Sequence, residues 1–213
     1  SAAGEFVVAP AAVEGLDALD MLAGNWALWF HAHLGREPLY VYLTALSYGA
    51  FGVTPLTTRL PALIAGLLTI PAAFFFVREW ADTSSRRRSV QELNSSVSRD
   101  DASQGMFPRE RATRLALLTT ALLTISFWHV QMTRNAHRDT LLPLVEAVGY
   151  WLLWRAIHTS GMKWYAAAGA VLGLAIYTYS PGRFVSVFVT LFFAIEFLIQ
   201  RLTAEGRAET VVS

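Results

Sequence analysis

The sequence predicts an all-α, polytopic membrane protein with about five transmembrane helices and one or two juxtamembrane helices. Three observations carry this. Of its 213 residues, 54% are hydrophobic and 15% are charged, fewer charges than a soluble domain of this size carries. The apolar residues gather in long blocks, near the roughly 20 residues a helix needs to cross a bilayer. The polar segments between the blocks are rich in arginine, as loops at a membrane boundary are.

The elements follow in order. "VEGLDALDMLAGNW" reads as an amphipathic helix over about 13–23, lying on the membrane with Val13, Leu16 and Leu19 or Leu22 on its apolar side. Glu14, Asp17 and Asp20 recur every third position. "PLYVYLTALSYGAFG", 38–52, is short and rich in Tyr, and reads as a second juxtamembrane helix. Spans follow at about 60–77, 115–133, 140–154, 164–182 and 184–200. The segment between the first two carries eight arginines from Arg78 to Arg114 and reads as a loosely ordered loop. The expected organisation is an outer loop with juxtamembrane helices over 1–59, a transmembrane module over 60–200 containing a cytoplasmic loop at 79–113, and a cytoplasmic tail at 201–213.

Charge sets the orientation. The positive-inside rule puts the 79–113 loop, the loop before Lys163 and the tail on the cytoplasmic face. Alternation then places 1–59, "RNAHRD" and "YSPGR" outside. Arg36, Arg59, Arg134, Arg138 and Arg183 all fall on that outer face, where positive charge is normally scarce. They either snorkel to lipid headgroups or form an anion site.

Several function classes are excluded or disfavoured. There is no cysteine, so disulfides, thiol catalysis and cysteine metal sites are out. The net charge is +1 with the basic residues dispersed, so no nucleic-acid partner is expected. His31 and His33 form an H-x-H pair with no third ligand nearby, so no metal is expected, and no cofactor. The spans show no paired broken helices, which argues against a transporter.

The local motifs each admit two readings. Arg134 and Arg138 share a helix face if the turn enters the next helix, and two guanidiniums on one face suit a phosphate. Asp139 then sits beside Arg138; alternatively it is an ordinary first-turn acid at a helix N-terminus. In "GREPLYVYL", Arg36 and Glu37 crowd the N-terminus of a helix opened by Pro38, a place for an anionic headgroup or simply a capped interfacial helix. Glu14 and Asp17 offer a general base or belong to a solvated face.

Taken together, "GREPLYVYLTALSYGAFGVTPLTTRLPALIAGLLTIPAAFFFVREW", "FWHVQMTRNAHRDTLLPL" and "GLAIYTYSPGRF" resemble, in order and spacing, the N-terminal module of GT-C superfamily glycosyltransferases. The nearest groups are the family 39 protein O-mannosyltransferases and the bacterial aminoarabinose transferases. The resemblance implies a polyprenyl-phosphate-linked sugar donor and an outward-facing site between juxtamembrane helices and spans. It matches Arg134 and Asp139 to the family's Arg-x-x-x-x-Asp, and Arg36-Glu37-Pro38-Leu39 to its Lys-Pro-Pro-Leu segment, with Arg in place of the phosphate-binding Lys. The family's early Asp-Glu pair, whose Asp is the expected base, aligns with Pro10 and Ala11, and the helix that should precede it is missing, so the chain reads as a fragment.

The function expected is therefore an inverting, GT-C type, mannosyltransferase-like transfer from a polyprenyl-phosphate-linked donor to an acceptor protein, lipid or glycan on the outer face of the plasma (inner) membrane. The candidate catalytic residues are Glu14, Asp17 and Asp139; the candidate lipid-phosphate ligands are Arg36, Arg134, Arg138 and Arg183. The alternative is a non-catalytic membrane protein that only binds a polyprenyl lipid, as a pseudoenzyme or scaffold.

Overall fold

A computed structural model describes residues 10–25, 37–94, 108–135, 137–159 and 161–212. Among these, every regular element is helical: α1 (Pro10–Leu22), α2 (Pro38–Phe51), α3 (Pro55–Asn94), α4 (Pro108–Ile125), α5 (Phe127–Arg134), α6 (Leu141–Thr159), α7 (Met162–Leu174) and α8 (Gly182–Val212). Short 3-10 turns, Arg138–Thr140 and Ala175–Tyr177, lead into α6 and out of α7. The long helix α3 is the spine: α4, α5 and α6 pack along it, α7 packs on α6, and α2 bridges α1 to α3.

Among the described residues, two helices are long and apolar enough to cross a membrane, Pro55–Ser84 and Arg138–Thr159. The pair α4 and α5 makes a third if it is taken as one span bent by 54°. The stretch expected as a straight helix over 115–133 is thus broken at Ser126, whose backbone is extended. The bend seats α5 against α3: the His129 ring Nε2 donates to the Gly66 carbonyl at 3.1 Å, and the Thr133 side chain fills the space beside Gly66 that any Cβ would occupy. Small residues at helix crossings let backbones approach closely where lipid supplies no hydrophobic drive. α7, with 13 residues, and the apolar part of α8, Gly182–Ile195, are shorter than a span.

The outward faces are apolar. Leu67 and Leu68 on α3, Leu118 and Leu122 on α4, and Phe184, Phe188 and Leu191 on α8 are all exposed. Contiguous apolar surface on this scale marks contact with lipid rather than water. The protein is a membrane protein.

One expectation about order is corrected. The polar composition beyond Arg78 predicts a loose loop, yet α3 continues to Asn94. No Gly or Pro interrupts the chain between Pro71 and Asn94, and Arg, Gln, Glu and Leu in "RRRSVQELN" are good helix formers.

The start of α3 is built by local chemistry. Gly52 ends α2 with φ 79°, a left-handed conformation that favours glycine. Thr54 and Thr57 then cap α3 reciprocally: Thr57 N–H donates to Thr54 Oγ1 at 3.2 Å, and Thr54 N–H to Thr57 Oγ1 at 2.9 Å. Pro55 opens the helix, where its missing N–H costs nothing. Pro61, by contrast, lies inside α3 and has no N–H to offer the Thr57 carbonyl four residues back. The buried Ser47 hydroxyl on α2 supplies that bond at 2.9 Å. A helix interruption is thereby converted into a tie between α2 and α3.

This tie is testable. Ser47→Ala should destabilise the protein by about 1–3 kcal/mol, because it orphans a buried carbonyl. Adding Pro61→Ala restores an N–H to that carbonyl and should recover most of the loss. Unfolding of the single and double variants in detergent measures both; a double variant no more stable than Ser47→Ala would refute the pairing.

Candidate functional site

The site grows from the first residue of α2. Pro38 starts the helix and Glu37 occupies its cap position, with extended backbone angles (φ −71°, ψ 136°). A cap glutamate ordinarily turns back to its own helix N-terminus. Glu37 makes no such bond and points instead into the fold, where it is 1% exposed. A buried carboxylate is tolerated only when paired and hydrogen-bonded.

Its partners come from two distant loops. Arg138, in the turn before α6, places a guanidinium nitrogen 3.5 Å from Glu37 Oε2. Arg183, in the first turn of α8, places one 3.3 Å from Oε1. Ser180 Oγ donates to the same Oε1 at 2.8 Å. The Tyr179 ring lies 5.5 Å from the Arg138 guanidinium carbon, an additional cation–π contact. Two guanidiniums and one carboxylate leave a formal charge of +1. Each guanidinium has five N–H donors, and one carboxylate cannot use them all. Arg183 is about half exposed and Arg138 about a quarter, so both guanidiniums reach the surface of the bundle.

A glycine sets the position of Arg183. A Cβ on Gly182 would overlap the carbonyl oxygen of Ala175 and meet the Leu142 side chain. Only glycine lets α8 begin this close to the 3-10 turn, where the buried Thr178 also donates to the Ala175 carbonyl at 2.7 Å.

The acids of α1 also lie against α2. The sequence allows Glu14 and Asp17 a solvated face; they are in fact buried, at 4% and 8% exposure. Leu16 and Leu22, expected on the apolar side that lies on the membrane, are more than half exposed. α1 packs on α2 through Ala18 and Met21 against Val41, Ala45 and Tyr48. Gly15 abuts the Tyr48 hydroxyl, which shares a 2.7 Å hydrogen bond with Thr58 Oγ1. The Tyr40 hydroxyl donates to the Thr58 carbonyl at 3.2 Å. Its phenol is pushed well above the usual tyrosine range, first by burial and then by the negative charge of Glu14. Tyr40 therefore remains a neutral donor, and it marks Glu14 as a neighbour of the α2 residues that follow Glu37.

The other expected site residues divide. Arg138 and Arg183 come together on Glu37. Arg134 does not join them: it closes α5 and is exposed, while Arg138 opens the turn into α6, so the two lie on different elements and the shared helix face does not form. Asp139 faces His137, with 3.9 Å between Oδ2 and Nδ1, and the carboxylate that holds Arg138 is Glu37. Arg36, His31 and His33 lie outside the described residues. Among the described residues no group of acids and histidines is arranged to hold a metal. The sequence reading missed Glu37 as the organising residue, together with Ser180 and Tyr179. The signal for Glu37 was an acid directly before a helix-opening proline at a membrane surface, which on its face also describes a cap.

The loops carrying Arg138 and Arg183 fall within one family pattern. Residues 108–207 match the family model described as dolichyl-phosphate-mannose-protein mannosyltransferase. The match supports a GT-C glycosyltransferase, the superfamily that the ordered motifs resemble. It takes in α4 through most of α8, and so Arg138, Asp139, Ser180 and Arg183; Glu14 and Glu37 lie before it. No curated protein and no solved structure matches the chain.

The role of Gly182 yields a contrast between neighbouring glycines. Gly182→Ala should lower the unfolding midpoint and displace Arg183, because its Cβ meets backbone that cannot swing aside. Gly173→Ala, in α7 with nothing within 4 Å of the added carbon, should be neutral or stabilising by up to about 1 kcal/mol. Thermal unfolding of both variants checks this, and equal midpoints would contradict the packing of α8 on the 3-10 turn.

Proposed function

We propose that the chain is the donor-binding module of an inverting glycosyltransferase that uses a polyprenyl-phosphate-linked sugar on the outer face of the plasma membrane. The reading rests chiefly on one observation: two arginines, from loops on either side of α6 and α7, converge on a single buried carboxylate at the head of α2. The family match supports the donor class. The multi-pass topology and the outward orientation rest on the distribution of arginines along the sequence.

In the proposed reaction the acceptor hydroxyl oxygen attacks the anomeric carbon. The bond from that carbon to the phosphate oxygen breaks, and its electron pair stays on the leaving polyprenyl phosphate. The acceptor proton passes to a carboxylate, Glu14 first and Asp17 second. The phosphate goes from one negative charge towards two, so donors aimed at it stabilise the transition state more than the ground state. Arg138 and Arg183 are those donors. Glu37 and Ser180 are positioning residues that hold both guanidiniums in place before the donor arrives. Asp139, whose Arg138 neighbour is already held by Glu37, is assigned to the acceptor. Arg36 and Arg134 remain proposed as outer phosphate contacts beside this pair.

Three variants separate the roles. Arg138→Ala and Arg183→Ala should each weaken binding of a polyprenyl-phosphate sugar by about tenfold or more, the scale of one charge-assisted hydrogen bond. Glu14→Gln should leave binding within about twofold and reduce transfer by about a hundredfold or more, as loss of a general base does. Lipid titration and radiolabelled sugar transfer, both on the protein in membranes, measure the two effects. Donor binding without transfer by the parent protein would leave the alternative, a polyprenyl-lipid-binding protein that is not an enzyme. Unchanged binding in both arginine variants would reject the site.

A further inference from the structure

A second charged cluster lies at the other end of the bundle. From Arg138 to Arg155 the chain rises about 25 Å at 1.5 Å per residue, close to the roughly 30 Å thickness of a hydrocarbon layer. There, α3, α4 and α6 line an open cavity of about 390 Å³ formed by Phe75, Arg78, Glu79, Asp82, Arg109 and Arg155. Part of this lining is already committed. Glu79 accepts a hydrogen bond from Trp151 Nε1 at 2.5 Å and lies 3.5 Å from Arg155 Nε. The Arg155 guanidinium also sits over the rings of Trp151, at 5.5 Å, and Trp164, at 4.9 Å. Arg155, Glu79 and the two tryptophans therefore form a fixed wall joining α3, α6 and α7.

Arg78 and Arg109 are different. They enter the same cavity from two helices, and among the described residues neither makes an ion pair. Of the three arginines in the lining, these are the two that the fixed wall does not use. Phe75, stacked at 5.9 Å on Trp151, supplies an apolar floor on the side of the hydrocarbon. Tryptophans at this depth are typical of the layer where phospholipid headgroups lie.

We propose that this cavity binds the phosphate of an anionic phospholipid headgroup, held in a fork between Arg78 and Arg109, at the membrane face opposite Glu37. Bound there, the lipid bridges α3 to α4 at the end where those helices extend out of the apolar layer. The proposal does not depend on the donor site and requires only that the helices lie in a bilayer.

Native mass spectrometry of the purified protein titrated with phosphatidylglycerol tests it. The parent protein should retain one lipid, and Arg78→Ala/Arg109→Ala should bind it at least about tenfold more weakly. Arg111→Ala/Arg114→Ala removes the same charge from exposed positions on α4 outside the cavity and should bind as the parent does. Inorganic phosphate at a concentration equal to the lipid should not displace it. Equal binding by the first double variant, an equal loss in the second, or displacement by inorganic phosphate would each overturn the assignment, the last in favour of a free-anion site. If the first double variant does not fold, Arg78→Lys/Arg109→Lys carries the test. It keeps the charge but loses the planar fork, and should bind several-fold more weakly. Parent-like binding by it would also overturn the proposal.

Discussion

The buried carboxylate of Glu37 is the constraint on which the arrangement of this protein depends. It sits where α2 begins, and its partners begin α6 and α8. Three segments far apart in sequence are thereby tied at one point, on one face of the bundle. A carboxylate this deeply buried, with its partners removed, would be too costly to keep charged. The loops that carry Arg138, Ser180 and Arg183 must therefore close over it for the fold to stand. The same interaction that fixes the loops also collects the positive charge, so architecture and site are one feature.

α2 owes its position to a second set of ties. Ser47 and Tyr40 donate to the Thr57 and Thr58 carbonyls at the head of α3, and Tyr48 shares a hydrogen bond with the Thr58 hydroxyl. Leu39 and Tyr40 pack with Ala62, Ala65 and Leu141, so α2 rests on α3 and α6 together. With α2 held in this way, Glu37 is presented to the two arginines, and Glu14 lies near Tyr40 on the same helix. The site is thus built on rigid helices and a capped turn, with its cations in the 3-10 turn before α6 and the first turn of α8.

The orientation of α1 follows from the solvent. In water, Leu16, Leu19 and Leu22 would pack inward and the acids would face out. Here the leucines are exposed and Glu14 and Asp17 are buried. A helix at the surface of an apolar layer gains by turning its apolar side to lipid and its polar side to protein. The acids are thereby placed in a sheltered environment, the setting in which a carboxylate serves as a base.

The sequence by itself determined the class of the protein: apolar blocks of spanning length separated by arginine-rich segments have few solutions other than a helical membrane bundle. It also determined the order of its motifs, and with them the resemblance to GT-C glycosyltransferases, because hydrophobic runs and Arg, Asp and Pro at set spacings are visible without contacts. It located Arg138, Arg183, Glu14 and Asp17 as residues worth placing. Only the tertiary structure decided which of them meet. Arg134 and Arg138, four apart, are parted by the break between α5 and α6, whereas Arg138 and Arg183 share a carboxylate across two helices. Local spacing reports neighbours on one helix and is silent on which loops a buried charge will draw together. For that reason Glu37, legible only as a cap beside a proline, emerged as the centre of the site once its burial and its partners were known.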